Sequence, residues 1–231
     1  MLHHPAGGSS AGVILCHGME SNKESEKIVA LARSFSGRGI SALRFDFACA
    51  NEKTGRFEEI TYSGEAEDLR AAFDFLQRHG IGKIGVFGSS MGGTVGVLFS
   101  AQEKKVAALV TLAAPVHPEK ITEKLLSSDA VEQWREKGYF MYHGRRINVT
   151  MLEDLQTIDV PKAATRVLCP TFVIHGDCDD TVPVEEAREL FSLLPGEKKL
   201  SILPGADHRF SDPQHMEAAL NDTVEWLTRY L

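Results

Sequence analysis

Short apolar runs alternate with amphipathic segments along the first half of the chain. The runs are continuous and rich in branched residues, which is typical of strands that are buried on both faces of a sheet. The segments between them place apolar residues at helical spacing, and glycines end several of these segments. The predicted strands are residues 13–16, 40–47, 84–87 and 106–112, and the predicted helices are 26–35, a long helix that ends at Gly80, and 94–99.

The alternation breaks over residues 115–166 and then resumes. This segment is charged and loosely amphipathic, and it is too long for a bare connection inside a compact domain. We therefore expect it to form a cap of short helices over one end of the sheet. Its aromatic residues either line a substrate pocket or anchor the cap, and they are Trp134, Tyr139, Phe140 and Tyr142. After it we predict strands at 170–175 and 198–203, and helices at 184–193 and 214–231.

Repeated strand and helix units predict an α/β fold with a mostly parallel sheet and helices on both faces. A chain of 231 residues suits one domain, so we expect a single domain over 1–231 with the cap at 115–166 inserted after the fourth predicted strand. Ligands of such sheets bind beyond the carboxyl ends of the strands. Every motif described below lies at one of those ends.

The sequence Gly-Ser-Ser-Met-Gly at residues 88–92 lies between a predicted strand and a predicted helix. Strand, sharp turn and helix are the context in which such a motif forms a nucleophile elbow. Ser90 is therefore the candidate nucleophile, and Gly88, Gly92 and Gly93 provide space for the strand and the helix to pass closely. The alternative is a glycine-rich turn that only packs a helix on a sheet.

A serine hydroxyl needs a base, and the base needs a group that fixes its tautomer. His208 follows the last predicted strand and is the candidate base. Asp179 is the candidate acid because it lies at the crest of the preceding loop, while Asp177 ties that loop down and Asp180 is the alternative acid. A metal ion could instead be bound by a cluster of His175, Asp177, Asp179, Asp207 and His208. These residues lack a recognised ligand spacing and a serine mechanism already accounts for them, so we expect no metal and no cofactor.

The oxyanion of an acyl-transfer reaction needs two backbone donors. Met91 follows the nucleophile and supplies the first N–H, and Met19 supplies the second from the loop after the first predicted strand. Gly18 allows the close approach of that loop, and His17 organises it. We count His17 and Gly18, with Trp134, Tyr139 and Tyr142 of the cap, as candidate substrate-binding residues. His17 could alternatively act as a second base.

Composition limits the partners and the compartment. A net charge of -7 argues against nucleic acid binding, which needs a basic face. The four cysteines are scattered, and no long apolar segment or export leader is visible, so we expect a cytoplasmic protein without a membrane span. The expected partner is a small ester substrate.

Together these motifs resemble the α/β-hydrolase fold, and within it the small bacterial cinnamoyl and feruloyl esterases, which are often grouped with serine aminopeptidase-like hydrolases. The resemblance covers nearly the whole chain and implies Ser90, Asp179 and His208 as the triad, with Met19 and Met91 as oxyanion donors. The matching segments are residues 17–18, 44–47, 55–57, 67–68, 88–93, 175–179, 205–208 and 210–212.

The chain departs from these esterases in three places. Only about a dozen residues precede the first strand, where the family has an antiparallel hairpin, so we expect about six strands, all parallel. Residues 40–47 then lie near an exposed edge, which pairs with another subunit in a homodimer or needs a covering segment. The loop at 48–52 lacks the family's glycines, and Met91 replaces a glutamine that is frequent in feruloyl esterases, which disfavours ferulate as the substrate.

The expected function is that of a serine carboxylesterase that works through an acyl-enzyme. One fold supports many chemistries, so a peptidase or amidase and a thioesterase remain alternatives. A binding protein without catalytic activity is the alternative from another class.

Overall fold

The computed structural model describes residues 1–5, 8–50, 56–120 and 127–231. Residues 51–52 of the loop noted above, and residues 121–126 of the predicted cap, lie outside the described residues. The described part contains a mixed sheet of seven strands. These strands are β1 (Leu2–His3), β2 (Ala11–Cys16), β3 (Ser41–Arg44), β4 (Lys83–Ser89), β5 (Val106–Leu112), β8 (Thr171–Gly176) and β9 (Lys198–Leu203). Their order across the sheet is β1-β3-β2-β4-β5-β8-β9.

The prediction that all strands are parallel was wrong at one edge. Strand β1 pairs antiparallel with β3, with Leu2 opposite Leu43 and His3 opposite Ala42, whereas the other neighbouring strands are parallel. The guanidinium of Arg44 donates a hydrogen bond of 2.8 Å to the ring of His3 and helps to hold the segment. The edge that was expected to be exposed is therefore covered by a segment of the chain itself, which is one of the two alternatives that we named, and the homodimer stays a prediction.

Helices cover both faces of the sheet because neighbouring strand residues point to opposite faces. The helices that pack on the central strands are α1 (Glu26–Ser36), α2 (Tyr62–Arg78), α3 (Met91–Gln102) and, at the end of the chain, α8 (Pro213–Tyr230). In β2, Val13 and Leu15 pack with α1 and α8, whereas Ile14 and Cys16 pack with α2 and α3. Helix α7 (Val184–Leu193) packs on the same face as α2 and α3.

The cap is not purely helical. Between β5 and β8 lie α4 (Ser128–Lys137), β6 (Tyr139–Tyr142), β7 (Arg145–Asn148), α5 (Thr150–Thr157) and α6 (Val160–Ala164). Strands β6 and β7 form an antiparallel hairpin whose two turn residues, His143 and Gly144, have φ values of 46° and 78°. Positive φ at both positions is the backbone of a type I′ turn, which favours a hairpin over the short helix that we predicted.

Two carboxylates hold the cap against the body. Asp154 of α5 accepts hydrogen bonds of 2.8 and 3.2 Å from the backbone N–H groups of Tyr62 and Ser63 at the start of α2. Glu186 of α7 accepts hydrogen bonds of 2.6 and 3.0 Å from the N–H groups of Val116 and His117, where the cap begins. Within the described ranges, no helix is long and apolar enough to cross a membrane.

Candidate active site

The backbone turns sharply at Ser90, between β4 and α3. Ser90 has φ 53° and ψ -125°, a conformation that non-glycine residues rarely adopt. Its N–H donates a hydrogen bond of 2.8 Å to the carbonyl of Leu112 on the neighbouring strand. This strained turn places the hydroxyl at the N-terminus of α3, beyond the carboxyl end of the strand.

The glycines around Ser90 have no room for a side chain, as the sequence predicted. A Cβ at Gly88 would overlap the carbonyl of Gly92, and a Cβ at Gly92 would overlap the carbonyl of His17. A Cβ at Gly93 would lie 2.7 Å from the Cβ of Ala114. Strand, helix and the loop after β2 therefore meet in backbone contact behind Ser90.

His208 and Asp179 are brought to this turn from two different loops. The Oγ atom of Ser90 lies 3.1 Å from Nε2 of His208, and Nδ1 of His208 lies 2.7 Å from Oδ2 of Asp179. Because a carboxylate only accepts hydrogen bonds, Nδ1 carries the proton, which leaves Nε2 free to accept the proton of the serine hydroxyl. The three side chains form one hydrogen-bonded series.

Asp179 is enclosed and stays ionised. Burial alone would raise its pKa, but hydrogen bonds from His175, His208 and the N–H of Val182 outweigh it and hold the pKa well below the usual range. Its other oxygen accepts hydrogen bonds of 3.0 and 2.7 Å from the N–H groups of Thr181 and Val182. These contacts fix the position of the carboxylate.

The neighbouring aspartates have other partners. Asp177 accepts a hydrogen bond of 2.6 Å from the N–H of Gly205, so it ties the loop after β8 to the loop after β9, as predicted. Asp180 accepts a bond of 3.2 Å from the hydroxyl of Thr181. The carboxylate that contacts His208 is that of Asp179, so the alternative assignment to Asp180 loses its support.

His175 was not singled out in the sequence except as part of an alternative metal cluster. Its side chain is fully buried, and its Nε2 lies 2.9 Å from the carbonyl of Val182 and 3.1 Å from Oδ2 of Asp179. Since a carbonyl accepts, Nε2 carries the proton and faces both oxygens. No group of three or more metal-binding side chains in the described part of the chain is arranged to hold a metal ion.

The loop after β2 lies directly beside the nucleophile. A Cβ built on Gly18 would be 3.3 Å from the Cβ of Ser90. His17 is buried and accepts a hydrogen bond of 3.2 Å from the N–H of Phe47, while its Nδ1 donates to the carbonyl of Gly18 at 2.8 Å. His17 thus joins the loops after β2 and β3, which is the structural role that we expected.

The two predicted oxyanion donors lie on either side of this contact. Met91 is the first residue of α3, and the N–H groups of a first helical turn have no partner inside the helix. Met19 follows Gly18 in the loop that approaches Ser90. Their roles as oxyanion donors stay predictions.

A cavity of about 740 Å³ opens over Ser90 and extends beneath the cap. Of the candidate substrate-binding residues, His17, Gly18, Trp134 and Tyr142 line it. Tyr139 does not line it, and its ring lies under the guanidinium of Arg146, 4.1 Å from the ring centre. Apolar side chains complete the wall beneath the cap, namely Phe140, Ile147, Met151 and Leu155.

Comparison with known proteins identifies the family of the chain. The family model of the prolyl oligopeptidases matches residues 55–231. The chain belongs to the prolyl oligopeptidase family. Its sheet of mostly parallel strands with flanking helices superposes on the solved α/β-hydrolase structures described next, so the predicted fold class is confirmed.

The similar proteins are named for different activities or ligands. The chain is 24% identical to the bovine mitochondrial palmitoyl-protein thioesterase ABHD10 over 96% of its own length and 75% of that protein. It superposes with a TM-score of 0.82 on the ferulic acid complex of Est1E from Butyrivibrio proteoclasticus, at 22% identity, covering 100% of this chain and 94% of that one. The monoacylglycerol lipase of Paleococcus ferrophilus gives a TM-score of 0.80 at 20% identity, with 100% and 98% covered.

Proposed function

We propose that this prolyl oligopeptidase family member is a serine carboxylesterase with Ser90 as nucleophile, His208 as base and Asp179 as the group that orients the base. The observation that carries the proposal is the hydrogen-bonded series from Asp179 through His208 to Ser90, with distances of 2.7 and 3.1 Å. The strained backbone of Ser90 supports it, because strain of this kind is typical of reactive residues.

The first half of the reaction forms an acyl-enzyme. His208 takes the hydroxyl proton through Nε2 while Oγ of Ser90 forms a bond to the ester carbonyl carbon. The N–H groups of Met19 and Met91 donate to the oxyanion of the tetrahedral intermediate. The bond to the alcohol oxygen then breaks, and the proton held by His208 passes to that oxygen.

The second half releases the acid. A water molecule gives a proton to His208 as its oxygen bonds to the acyl carbon, and collapse of the second intermediate breaks the bond to Oγ of Ser90. The serine oxygen recovers the proton from His208. Asp179 stays ionised throughout and stabilises the imidazolium that forms twice in each cycle.

An ester with an apolar acyl group suits the cavity best. The wall beneath the cap is made of aromatic and aliphatic side chains, which bury apolar groups. The four free cysteines favour a reducing compartment such as the cytoplasm. The family description favours peptidase or amidase activity as the second candidate.

The experiment compares purified protein and its Ser90→Ala variant on para-nitrophenyl acyl esters, aminoacyl para-nitroanilides and acyl thioesters. We expect the esters to turn over fastest, a fluorophosphonate to label Ser90, and the variant to lose about 10⁴- to 10⁶-fold in kcat. Turnover of anilides alone would reject the esterase in favour of the peptidase. A loss of only a few-fold in Ser90→Ala would reject nucleophilic catalysis.

A further inference from the structure

A lysine side chain enters the active-site cavity beside the nucleophile. Lys27 lies in the first turn of α1, and its ammonium donates a hydrogen bond of 3.2 Å to the hydroxyl of Ser89, the residue before the nucleophile. Both side chains line the cavity that contains Ser90. In the sequence Lys27 is one of many charged residues on an amphipathic helix, and no pattern marked it.

The ammonium of Lys27 has no carboxylate partner among the described residues. One of its three donors is used by Ser89, and the residues whose charges act on it are Asp207 and Arg209. Burial and, to a smaller extent, the positive charge of Arg209 lower the pKa of Lys27 to about 8, against the opposing effect of Asp207. A partly buried cation that faces a cavity without a counter-ion is costly unless a ligand provides one.

Other donors face the same part of the cavity. Ser25 lines it, and its buried hydroxyl has no hydrogen-bond partner within the described ranges. Arg209 also lines it and is largely exposed, with Glu20 of the loop after β2 at 3.9 Å as its nearest acid. The polar end of the cavity therefore carries donors and two cationic side chains, in contrast to the apolar wall beneath the cap. The carboxylate of Glu20 also lines the cavity, but its partners are His143 at 2.9 Å and Arg209 at 3.9 Å.

The polar end lies on the side of the leaving group. His208 has to protonate the departing oxygen, so this oxygen lies within hydrogen-bond reach of Nε2. Asp207 and Arg209 flank His208 in the sequence, and the charges of both residues act on Lys27. The acyl group then points the other way, towards the apolar wall formed by the cap.

We propose that Lys27 binds a carboxylate on the leaving alcohol, so that the substrates are esters of an apolar acyl group with an alcohol or phenol that carries one negative charge. This inference rests on the proposed esterase function and adds a specificity residue to it. A single unpaired ammonium matches a single anionic charge, and the hydroxyls of Ser25 and Ser89 supply further hydrogen bonds to a carboxylate.

The test uses two esters with the same acyl group. One is the butanoate ester of para-hydroxybenzoate, and the other is the butanoate ester of methyl para-hydroxybenzoate, which is uncharged and is at least as good a leaving group. We expect wild-type kcat/KM to favour the charged ester by about tenfold or more, because hydrogen bonds to charged groups are strong. Lys27→Met should abolish this preference and change the neutral ester by less than about twofold, whereas Lys27→Arg should keep it.

A pH series adds a readout that a purely structural lysine would not change. Lys27 is charged below its pKa, so the ratio of kcat/KM for the charged and neutral esters should fall as the pH rises through about 8. Effects of pH that are common to both esters cancel in this ratio. In Lys27→Arg the ratio should stay constant over the same range, because a guanidinium remains protonated.

A second pair of esters tests the side on which the charge is bound. Para-nitrophenyl hemiglutarate carries the carboxylate on the acyl group, and the methyl glutarate ester is its neutral counterpart. The neutral ester should be preferred within this pair, because the acyl carboxylate would face the apolar wall, and Lys27→Met should not change this preference. A Lys27-dependent preference for hemiglutarate would overturn the assignment to the leaving group. The proposal also fails if wild-type protein shows no charge preference, or if Lys27→Met slows both benzoate esters equally.

A binding measurement on Ser90→Ala protein tests the anion site independently of the esterase activity. Calorimetric titration with para-hydroxybenzoate and with its methyl ester needs no turnover. Tighter binding of the carboxylate that disappears in the Lys27→Met, Ser90→Ala double variant supports the anion site even if the esters are not hydrolysed. Equal binding of the two compounds overturns the anion site even if the esterase is active.

Discussion

The nucleophile elbow and the cap place their glycines in opposite environments. At Gly88, Gly92 and Gly93 a side chain would collide with backbone or with a neighbouring residue. In the cap, Gly138 and Gly144 have φ values of 75° and 78°, and a Cβ at either position would meet nothing within 4 Å. The elbow needs glycine because backbone atoms meet there, whereas the cap positions need glycine only because a turn requires positive φ.

This difference separates catalysis from specificity. Around Ser90, the strand, the helix and the loop after β2 pack too closely for another backbone conformation, so the reacting atoms have one arrangement. The cap packs apolar side chains such as Met151, Leu155 and Val160 against the body, two carboxylates add hydrogen bonds, and its aromatic residues shape the cavity. Changes at the elbow should therefore affect whether the chemistry occurs, and changes in the cap should affect which substrate is used.

The largest expected effect is at the carboxylate that orients the base. Asp179→Asn should lower kcat by about 10⁴-fold, because an amide favours the wrong tautomer of His208. Its control is Asp180→Asn, one residue further along the same loop, which should leave kcat within about twofold. Steady-state kinetics on one ester measures both, and equal losses in the two variants would show that the aspartate acts only through the loop conformation.

The glycine comparison itself can be tested by adding one methyl group in each region. Gly92→Ala forces its Cβ into the carbonyl of His17, so we expect a loss of about 3 kcal/mol or more in stability and no labelling of Ser90 by a fluorophosphonate. Gly144→Ala should cost only about 1 kcal/mol from the left-handed backbone and should leave labelling unchanged. Thermal unfolding and labelling rates measure both, and similar results would contradict the contrast.

The sheet edge that carries Ser90, Asp179 and His208 was predictable from the sequence, and the hairpin inside the cap was not. Residues 88–92, 175–179 and 205–208 each combine a strand end with glycine and a reactive side chain, so local chemistry and topology agree at each point. In the cap, the hairpin from Tyr139 to Asn148 competes with helical alternatives of similar propensity, and its turn at His143 carries no strong signal.

Two further features could be identified only from the structure and not from a sequence pattern. The covering strand Leu2–His3 has only two residues, which is too short for a periodicity to identify it. Lys27 has the sequence context of a solvated helix residue, and only the path of α1 brings its ammonium to Ser89.

Within the cap, Trp134 should determine the length of the acyl group. Its ring is buried beside Phe140, with the ring centres 5.5 Å apart, and it lines the cavity. Trp134→Ala should move the preferred acyl chain to longer esters and lower kcat/KM for the original optimum by about tenfold. Tyr139→Ala is the matched control, since this aromatic residue lies in the same cap outside the cavity, and it should keep the chain-length profile of the wild type.

The smallest expected effect concerns the attachment of the cap. Asp154→Ala removes the acceptor of the Tyr62 and Ser63 N–H groups at the start of α2, which should cost about 1 kcal/mol and lower Tm by about 2 to 4 °C. Asp159→Ala removes a contact of similar strength, to the N–H of Lys162, but this contact lies wholly inside the cap. If the cap is a separate layer held by such anchors, limited proteolysis should cut it faster in Asp154→Ala than in Asp159→Ala. Equal cleavage rates would mean that Asp154 stabilises α2 alone and that apolar packing holds the cap.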